Sequence, residues 1–285
     1  MNKITYKNVL LQTFRDFIAF CEMNNLMYYG AFGTVLGAIR HQGLIPWDDD
    51  IDVYMPRQDY NRFIALKQKV PTGYEIVDYD NEGYFCNFAK FSNANTTILE
   101  TPELPFVYGI FIDVFPLDEC SESIDKNKEI LSEYSRSYFK FFKACREYRL
   151  SALVMPKNKT TFIFDVKTIM NFFYYHRLYK KTLQKMKDIE IKLQAESGNY
   201  YCRYSPILKE CRVYPKKWFG KGKLEKYEDL VILIPQESDL YLKKVYGNYM
   251  QLPPIEKRNS GHSHYFVNLN ERCTLSTIKK RTNLR

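Results

Sequence analysis

Gly33-Thr34-Val35-Leu36-Gly37-Ala38-Ile39-Arg40-His41, followed by Ile45-Pro46-Trp47-Asp48-Asp49-Asp50-Ile51-Asp52-Val53, is the stretch that decides how this chain is read. Four carboxylates fall within five positions, between apolar residues. Such a cluster repels itself unless a cation neutralises it. Upstream, a Gly-Thr turn can present backbone N–H groups to a phosphate, and residues 34–40 can form a helix behind it. Residues 51–55 alternate apolar and polar, which predicts a strand. On a strand Asp50 and Asp52 share a face, because side chains repeat every two residues. That pair suits a hard divalent cation, whereas Asp48 and Asp49 belong to the loop before it. Acids that hold a cation, beside a turn that holds a phosphate, point to phosphoryl or nucleotidyl transfer. The alternative is a solvated acidic turn.

Outward from this stretch, residues 5–24 carry Val9, Leu10, Phe14, Phe17, Ile18 and Cys21 at helical spacing. A short strand is expected at 26–29, and Pro56-Arg57-Gln58-Asp59 opens a helix to about Lys69. Strands are expected at 74–77, 84–91, 96–100 and 109–115. The last ends at Pro116 and carries Asp113 between Ile112 and Val114. This alternation of helices and acid-bearing strands gives an α+β chain with a mixed sheet. Residues 124–150 and 164–195 read as long helices joined by a loop at 151–159. After Gly198 the pattern is less regular, with loops, a short strand at 231–235, a helix within 235–246 capped by Ser238, and a loose basic tail from Lys279. The expected division is a catalytic core at 1–120, a basic helical insert at 121–198, and a portion at 199–285 that packs back on the core.

The formal charge of +9 is unevenly placed. Residues 134–187 hold thirteen Lys and Arg against Glu147 and Asp165, so the remainder of the chain is close to neutral. Within this basic segment, Tyr138-Phe139-Lys140-Phe141-Phe142-Lys143 and 172–181 set aromatics beside cations. Helices with that pattern suit a membrane face with anionic lipids; the alternative is aromatics packed inward under solvated lysines. No nucleic-acid recognition motif accompanies the charge. The seven cysteines are scattered without a Cys-x-x-Cys pair, as in a reducing compartment. Cys202, Cys211, His262 and His264 are the one combination with zinc-ligand chemistry, at a spacing that matches no standard site. The N-terminus reads as an amphipathic helix, and no apolar run is long enough to span a bilayer. The expected location is cytoplasmic, with peripheral contact at the inner face of the membrane through 134–187.

Asp113 completes the acidic set, either as a third cation ligand or as the group that orients or deprotonates an acceptor hydroxyl. Arg40 can bind two diphosphate oxygens or pair with the acids. Lys90 can contact a phosphate or lie at the surface. Trp47 can stack on a base, face a quaternary ammonium, or simply pack the loop. His41 follows the phosphate turn, and His262 and His264 flank Ser263 in a loop that can reach the site.

The run GAFGTVLGAIRHQGLIPWDDDIDVYMPRQDYNRF resembles the signature of the LicD family. These are phosphotransferases typified by phosphorylcholine transferases, with the fukutin-related proteins as relatives. Phe88-Ala89-Lys90-Phe91 with Asn95-Thr96-Thr97, Gly109-Ile110-Phe111-Ile112-Asp113-Val114-Phe115-Pro116-Leu117-Asp118 and Tyr246-Gly247-Asn248-Tyr249-Met250-Gln251-Leu252-Pro253-Pro254 follow the same family pattern. The likeness is strong over 28–118, returns near 240–264 and is weak between. It implies a nucleotidyltransferase-like core in which Gly33-Thr34 is the turn and Asp50, Asp52 and Asp113 hold Mg2+ or Mn2+. Gly33, Thr34, Arg40, His41, Trp47, Asp49 and Lys90 are the expected substrate-binding set. Thr34 stands where many members of the superfold have Ser or Gly, and Asn248 where Asp is common. The resemblance further implies a CDP-linked donor such as CDP-choline. The phospho-alcohol passes to a hydroxyl of a cell-envelope glycan (teichoic acid, capsule or lipopolysaccharide), which is lipid-linked in some family members, and CMP leaves. Two other readings stay open: a nucleotidyltransferase that releases pyrophosphate, and a non-catalytic membrane- or glycan-binding protein.

Overall fold

The computed structural model describes residues 5–154, 162–194, 196–260 and 264–282. Helix α1 (Tyr6–Met23) starts where the Thr5 hydroxyl accepts the Asn8 N–H at 3.2 Å, a side-chain cap for an otherwise unpaired donor. Its apolar stripe buries Leu10, Phe14, Phe17, Phe20 and Cys21. There follow β1 (Tyr29–Gly30), α2 (Phe32–His41), β2 (Asp52–Pro56), α3 (Arg57–Ala65), β3 (Tyr74–Val77), β4 (Ala89–Asn93), β5 (Thr97–Leu99) and β6 (Phe111–Cys120). The helical pair α4 (Ile124–Val154) and α5 (Phe162–Gln194) comes next. It is succeeded by β7 (Tyr200–Ser205), β8 (Glu210–Pro215), β9 (Lys223–Tyr227), β10 (Leu230–Ile234), α6 (Ser238–Tyr246), β11 (Phe266–Asn268) and α7 (Leu275–Thr282).

The main sheet runs β1-β2-β6-β4-β3, and β7 and β8 extend it from the later half of β6. Strands β2 and β6 are parallel; the other pairs are antiparallel, so the sheet is mixed and the fold is α+β. Alternation gives the sheet two different faces. On one, Phe91 of β4 meets Phe17 and Phe20 of α1, and Phe17 also meets Phe63 of α3. On the other lie Asp52 and Tyr54 of β2, Asp113 and Phe115 of β6, and Lys90 of β4, with Tyr54 and Phe115 packed against Phe32.

Several expectations change. Strand β2 begins at Asp52, so Asp50 lies in the loop just before it. Residues 84–88 are not strand, and only Ala89–Asn93 pairs. Strand β6 continues through Pro116 to Cys120. Pro116 falls between the last β4 pair, Ala89 with Val114, and the first β7 pair, Asp118 with Cys202. No ladder donor is needed in that gap, which is where a proline fits inside a sheet. The segment after Gly198 is more regular than its pattern suggests, with two antiparallel hairpins, β7–β8 and β9–β10. Helix α6 starts at Ser238, but no side chain caps it. The tail is helical to Thr282, anchored by the buried Ile278 beside Leu99 and Cys273.

Helix α4 extends to Val154, past the expected loop start, and 155–161 lie outside the described residues. The aromatics of the helical pair divide. Tyr138, Phe141, Tyr148 and Tyr179 are buried, whereas Phe139, Phe173 and Tyr174 are exposed. No helix among the described residues is long and apolar enough to cross a membrane.

Candidate active site

The site is assembled around the start of α2. Ala31 precedes this helix, so Gly33 and Thr34 lie within its first turn. The Ala31 N–H donates to the Asp52 carbonyl at 2.9 Å, and the Asp52 N–H donates to the Thr34 hydroxyl oxygen at 2.9 Å. Thr34 is thus buried and spent on fixing Asp52. Two glycines let the next loop fold back. A methyl group on Gly37 would sit 2.4 Å from the Gly43 carbonyl oxygen, and one on Gly33 would sit 2.6 Å from Oδ2 of Asp48. Gln42 takes the left-handed backbone (φ 55°) that ends α2. The turn of the β9–β10 hairpin then clamps the loop: Glu228 accepts the Leu44 N–H at 3.0 Å and its own N–H donates to the Gln42 carbonyl at 2.8 Å.

This return brings Asp48, Asp49 and Asp50 together, with one carboxylate oxygen from each within 4.8 Å of the others. Beside them the ladder makes a row across three strands. Asp52 is in register with Asp113, and Asp113 with Lys90. The Lys90 ammonium is 2% exposed; it lies 2.7 Å from Oδ1 of Asp113, 3.9 Å from Glu100, and 3.4 Å from the centre of the Phe111 ring. Lys90 is therefore a buried partner of Asp113 rather than a surface lysine. Burial, and then the charges of Asp50 and Asp113, hold the Asp52 carboxyl well above the usual range, an effect that Arg203 partly offsets. Burial pushes Asp113 up to about 6 against the pull of Lys90. Acids shifted upward by burial and by one another mark a place that attracts a cation.

A cavity of about 450 Å³ adjoins the acids, lined among others by Gly33, Arg40, Trp47, Asp48, Tyr246 and Asn248. Arg40 is turned toward the chain's closing segment, where its Nη1 donates to the Tyr249 carbonyl at 2.7 Å. Trp47 lies edge-on to His41, ring centres 5.7 Å apart, and carries the Arg258 guanidinium 5.2 Å from its centre. Burial and the neighbouring Arg40 hold His41 below its ordinary value. His264 reaches Asp49 at 3.8 Å and stacks on Tyr6; His262 lies outside the described residues. Cys202 sits on β7, in register with Val213, while His264 stands at the acids, so the zinc combination is not brought together among the described residues.

Some groups at the site carry no local sequence signal. Tyr6 comes from α1, and burial followed by the charges of Asp49, Asp50 and Asp113 pushes its phenol far up. Arg203 and Arg212 come from β7 and β8, beyond the helical pair. Tyr246 was within reach of a sequence reading, since it opens the closing segment quoted above.

Residues 25–148 match the family described as LicD/FKTN/FKRP, nucleotidyltransferase domain. The chain is similar to the lipopolysaccharide cholinephosphotransferase LicD of Haemophilus influenzae, 28% identical over 272 residues that cover 92% of this chain and 97% of the relative. Shorter likenesses link it to uncharacterized proteins of Rickettsia prowazekii (34% identical over 84 residues, 30% of this chain and 28% of that protein) and Rickettsia typhi (41% over 68 residues, 24% and 22%). The signature run, the matched domain and the near full-length relative point the same way: residues 25–148 match the nucleotidyltransferase domain of the LicD family, and the chain is similar to a LicD protein over nearly its whole length.

Proposed function

We propose that this chain is a metal-dependent phosphotransferase. It moves phosphocholine, or a related phospho-alcohol, from a CDP-linked donor to a hydroxyl of a cell-envelope glycan. The observation that carries this reading is the row Asp52, Asp113 and Lys90, set beside the start of α2 and the acids 48–50. The substrate class is supported by the relative named a lipopolysaccharide cholinephosphotransferase.

The oxygen-only donor set fits Mg2+ or Mn2+: Asp48, Asp49 and Asp50 bring oxygens within 4.8 Å of one another, and in this reading Asp50 would hold the ion together with Asp52 and Asp113, whose charges it feels. Such a cation, when bound, neutralises charge that builds on the phosphates. The chain's own residues preset the site. Thr34 and Ala31 grip the Asp52 backbone from both sides, and Lys90 holds one oxygen of Asp113. A carboxylate fixed in this way needs little reorganisation when substrate arrives. The acceptor oxygen attacks the phosphorus that bears the alcohol, the bond from that phosphorus to the nucleotide's phosphate oxygen breaks, and CMP leaves. The hydroxyl proton passes to a carboxylate of the cluster.

A screen of CDP-choline, CDP-glycerol, CDP-ribitol and CDP-ethanolamine with Mg2+ and candidate glycans tests the reading. CMP release that depends on both donor and glycan is expected. Pyrophosphate release from CTP would instead make the chain a nucleotidyltransferase, and full cellular function of Asp52→Asn would make it non-catalytic.

Peripheral membrane contact through 134–187 belongs to the same proposal, because a lipid-linked glycan acceptor lies at that surface. Exposed Phe139, Phe173 and Tyr174 beside exposed Lys180, Lys181 and Lys185 support it. Flotation with anionic vesicles, reduced when the three lysines are neutralised, is the expected result; unchanged flotation removes this part.

A further inference from the structure

Arg203 and Arg212 face each other directly in the β7–β8 ladder. Like charges placed opposite one another destabilise an antiparallel pair. Glu210 relieves only one of them, accepting from Nε of Arg212 at 2.8 Å. Arg203 makes no hydrogen bond or ion pair with any described residue. Its guanidinium is held instead by rings, 4.3 Å from the centre of Phe115 and 5.1 Å from that of Phe32. Arg212 shares the same Phe32 ring at 5.5 Å. The two forks therefore converge on one residue, the first of α2, next to Gly33 at the cavity.

Phe32 is itself held in an unusual way. It has the left-handed backbone (φ 43°), which a bulky side chain rarely adopts, and its N–H donates to the Tyr241 hydroxyl at 2.9 Å. Strain of this kind persists only where the surroundings over-determine it, and it gathers at functional sites. Here it sets the ring on which both guanidinium groups rest. An arginine pair that one glutamate compensates only in part, and that is planar and ring-supported, is built for an anion with several oxygens.

We propose that Arg203 and Arg212 form the seat for the diphosphate of the nucleotide-linked donor, with Phe32 as the platform that spaces them. This rests on the donor reading above and deepens it. The seat balances the acids across the site: carboxylates for a cation on one side, guanidinium groups for the phosphates on the other. Both arginines lie outside residues 25–148, so the family-matched domain is completed by the later hairpin.

The test is equilibrium binding of CDP, cytidine and inorganic pyrophosphate to the full chain and to Arg203→Gln, Arg203→Lys and Arg212→Lys. Loss of a charge-assisted pair of hydrogen bonds should weaken CDP and pyrophosphate by about 10- to 100-fold in Arg203→Gln, with cytidine unchanged. The two lysine variants keep charge without the fork and keep the folded hairpin, and should fall between. Unchanged CDP and pyrophosphate binding in all three variants overturns the seat. So does a rise in the acceptor's KM with CDP binding intact, which would assign the arginines to an acceptor phosphate. If the unsubstituted chain binds pyrophosphate but not CDP, and Arg203→Gln loses it, the seat stands and the cytidine donor falls.

Discussion

The strand pair β2–β6 carries charge at both ends, and the two ends differ in how that charge is closed. At the far end Arg57, the residue after β2, meets Asp118 through Nε and Nη2 at 2.6 and 3.0 Å. Glu190 from α5 approaches the same guanidinium at 3.6 Å and accepts the hydroxyls of Tyr134, at 2.7 Å, and Tyr79. Arg57, Asp118 and Glu190 are all buried, and each is engaged. At the near end, among the described residues, the acids at 48, 49, 50, 52 and 113, with Glu100 behind them, outnumber the cations Lys90 and Arg203. Burial separates the two clusters: the far one is wholly buried, whereas Asp48, Asp49, Asp50 and Asp52 are half-buried beside the buried Asp113 and Lys90, and it is this more accessible cluster that adjoins the cavity at the start of α2.

Substitutions at the two ends should fail in opposite ways. Asp52→Asn is expected to lower CMP release by roughly 10³-fold. Its melting temperature should stay level or rise, because burial and neighbouring acids already disfavour that charge. A parallel loss of fold would erase the contrast. Arg57→Ala should do the reverse and cost about 3–5 kcal/mol in urea denaturation by stranding two buried acids, with the folded fraction still active. Replacing Arg57, Asp118 and Glu190 together by apolar residues should recover most of that loss; if it does not, the cluster does more than hold α5 to the core. Gly33→Ala sharpens the near end alone. Its methyl meets Asp48 at 2.6 Å, so kcat/KM should drop by about tenfold. Stability should hold or gain by up to about 1 kcal/mol, since alanine favours a helix.

The smallest effect is in pH. Asp113 titrates near 6 in the folded chain, against an ordinary value of 3.8. The folded state therefore binds that proton more tightly than the unfolded chain does. This group's contribution is most favourable below about 4 and is lost as pH rises through about 6. A bound divalent cation should restore it. Mg2+ should raise the melting temperature by a few degrees at pH 8 and hardly at all at pH 5. Equal shifts at both pH values would mean that the ion binds elsewhere.

The acids were legible along the chain because a run of carboxylates between apolar residues is a local signal, and Asp113 sat in a plain strand alternation. Their partners were not. Lys90 opposes Asp113 only through the β4–β6 register, and no short pattern around Phe88-Ala89-Lys90-Phe91 encodes that pairing. Thr34 could be seen beside the acids, but not that its hydroxyl would accept the Asp52 N–H from a strand 18 positions on. The β7–β8 hairpin stayed hidden for another reason. Its strands carry tyrosine on both faces, with Cys202 and Cys211 on one and Arg203 and Arg212 on the other, so period-two hydrophobicity is weak, and the two long helices separate them from the earlier strands they extend. In Lys223–Tyr227 the adjacent charges Glu225 and Lys226 break the alternation and Leu224 is exposed, which blurs the same signal.

Strand β6 passes straight into its neighbour β7: Asp118 opposes Cys202 and Cys120 opposes Tyr200. Gly198 approaches so closely that a methyl there would lie 2.2 Å from the Cys120 carbonyl oxygen. In topological terms the whole of residues 121–199 is the loop of a β-hairpin. The entropy of closing a loop grows only with the logarithm of its length, about 0.6 kcal/mol per doubling. The sheet that carries both the acid row and the arginine hairpin therefore hardly registers how long this excursion is. A segment of almost any size can be lengthened, shortened or exchanged there, and the strands that carry the acids keep their register.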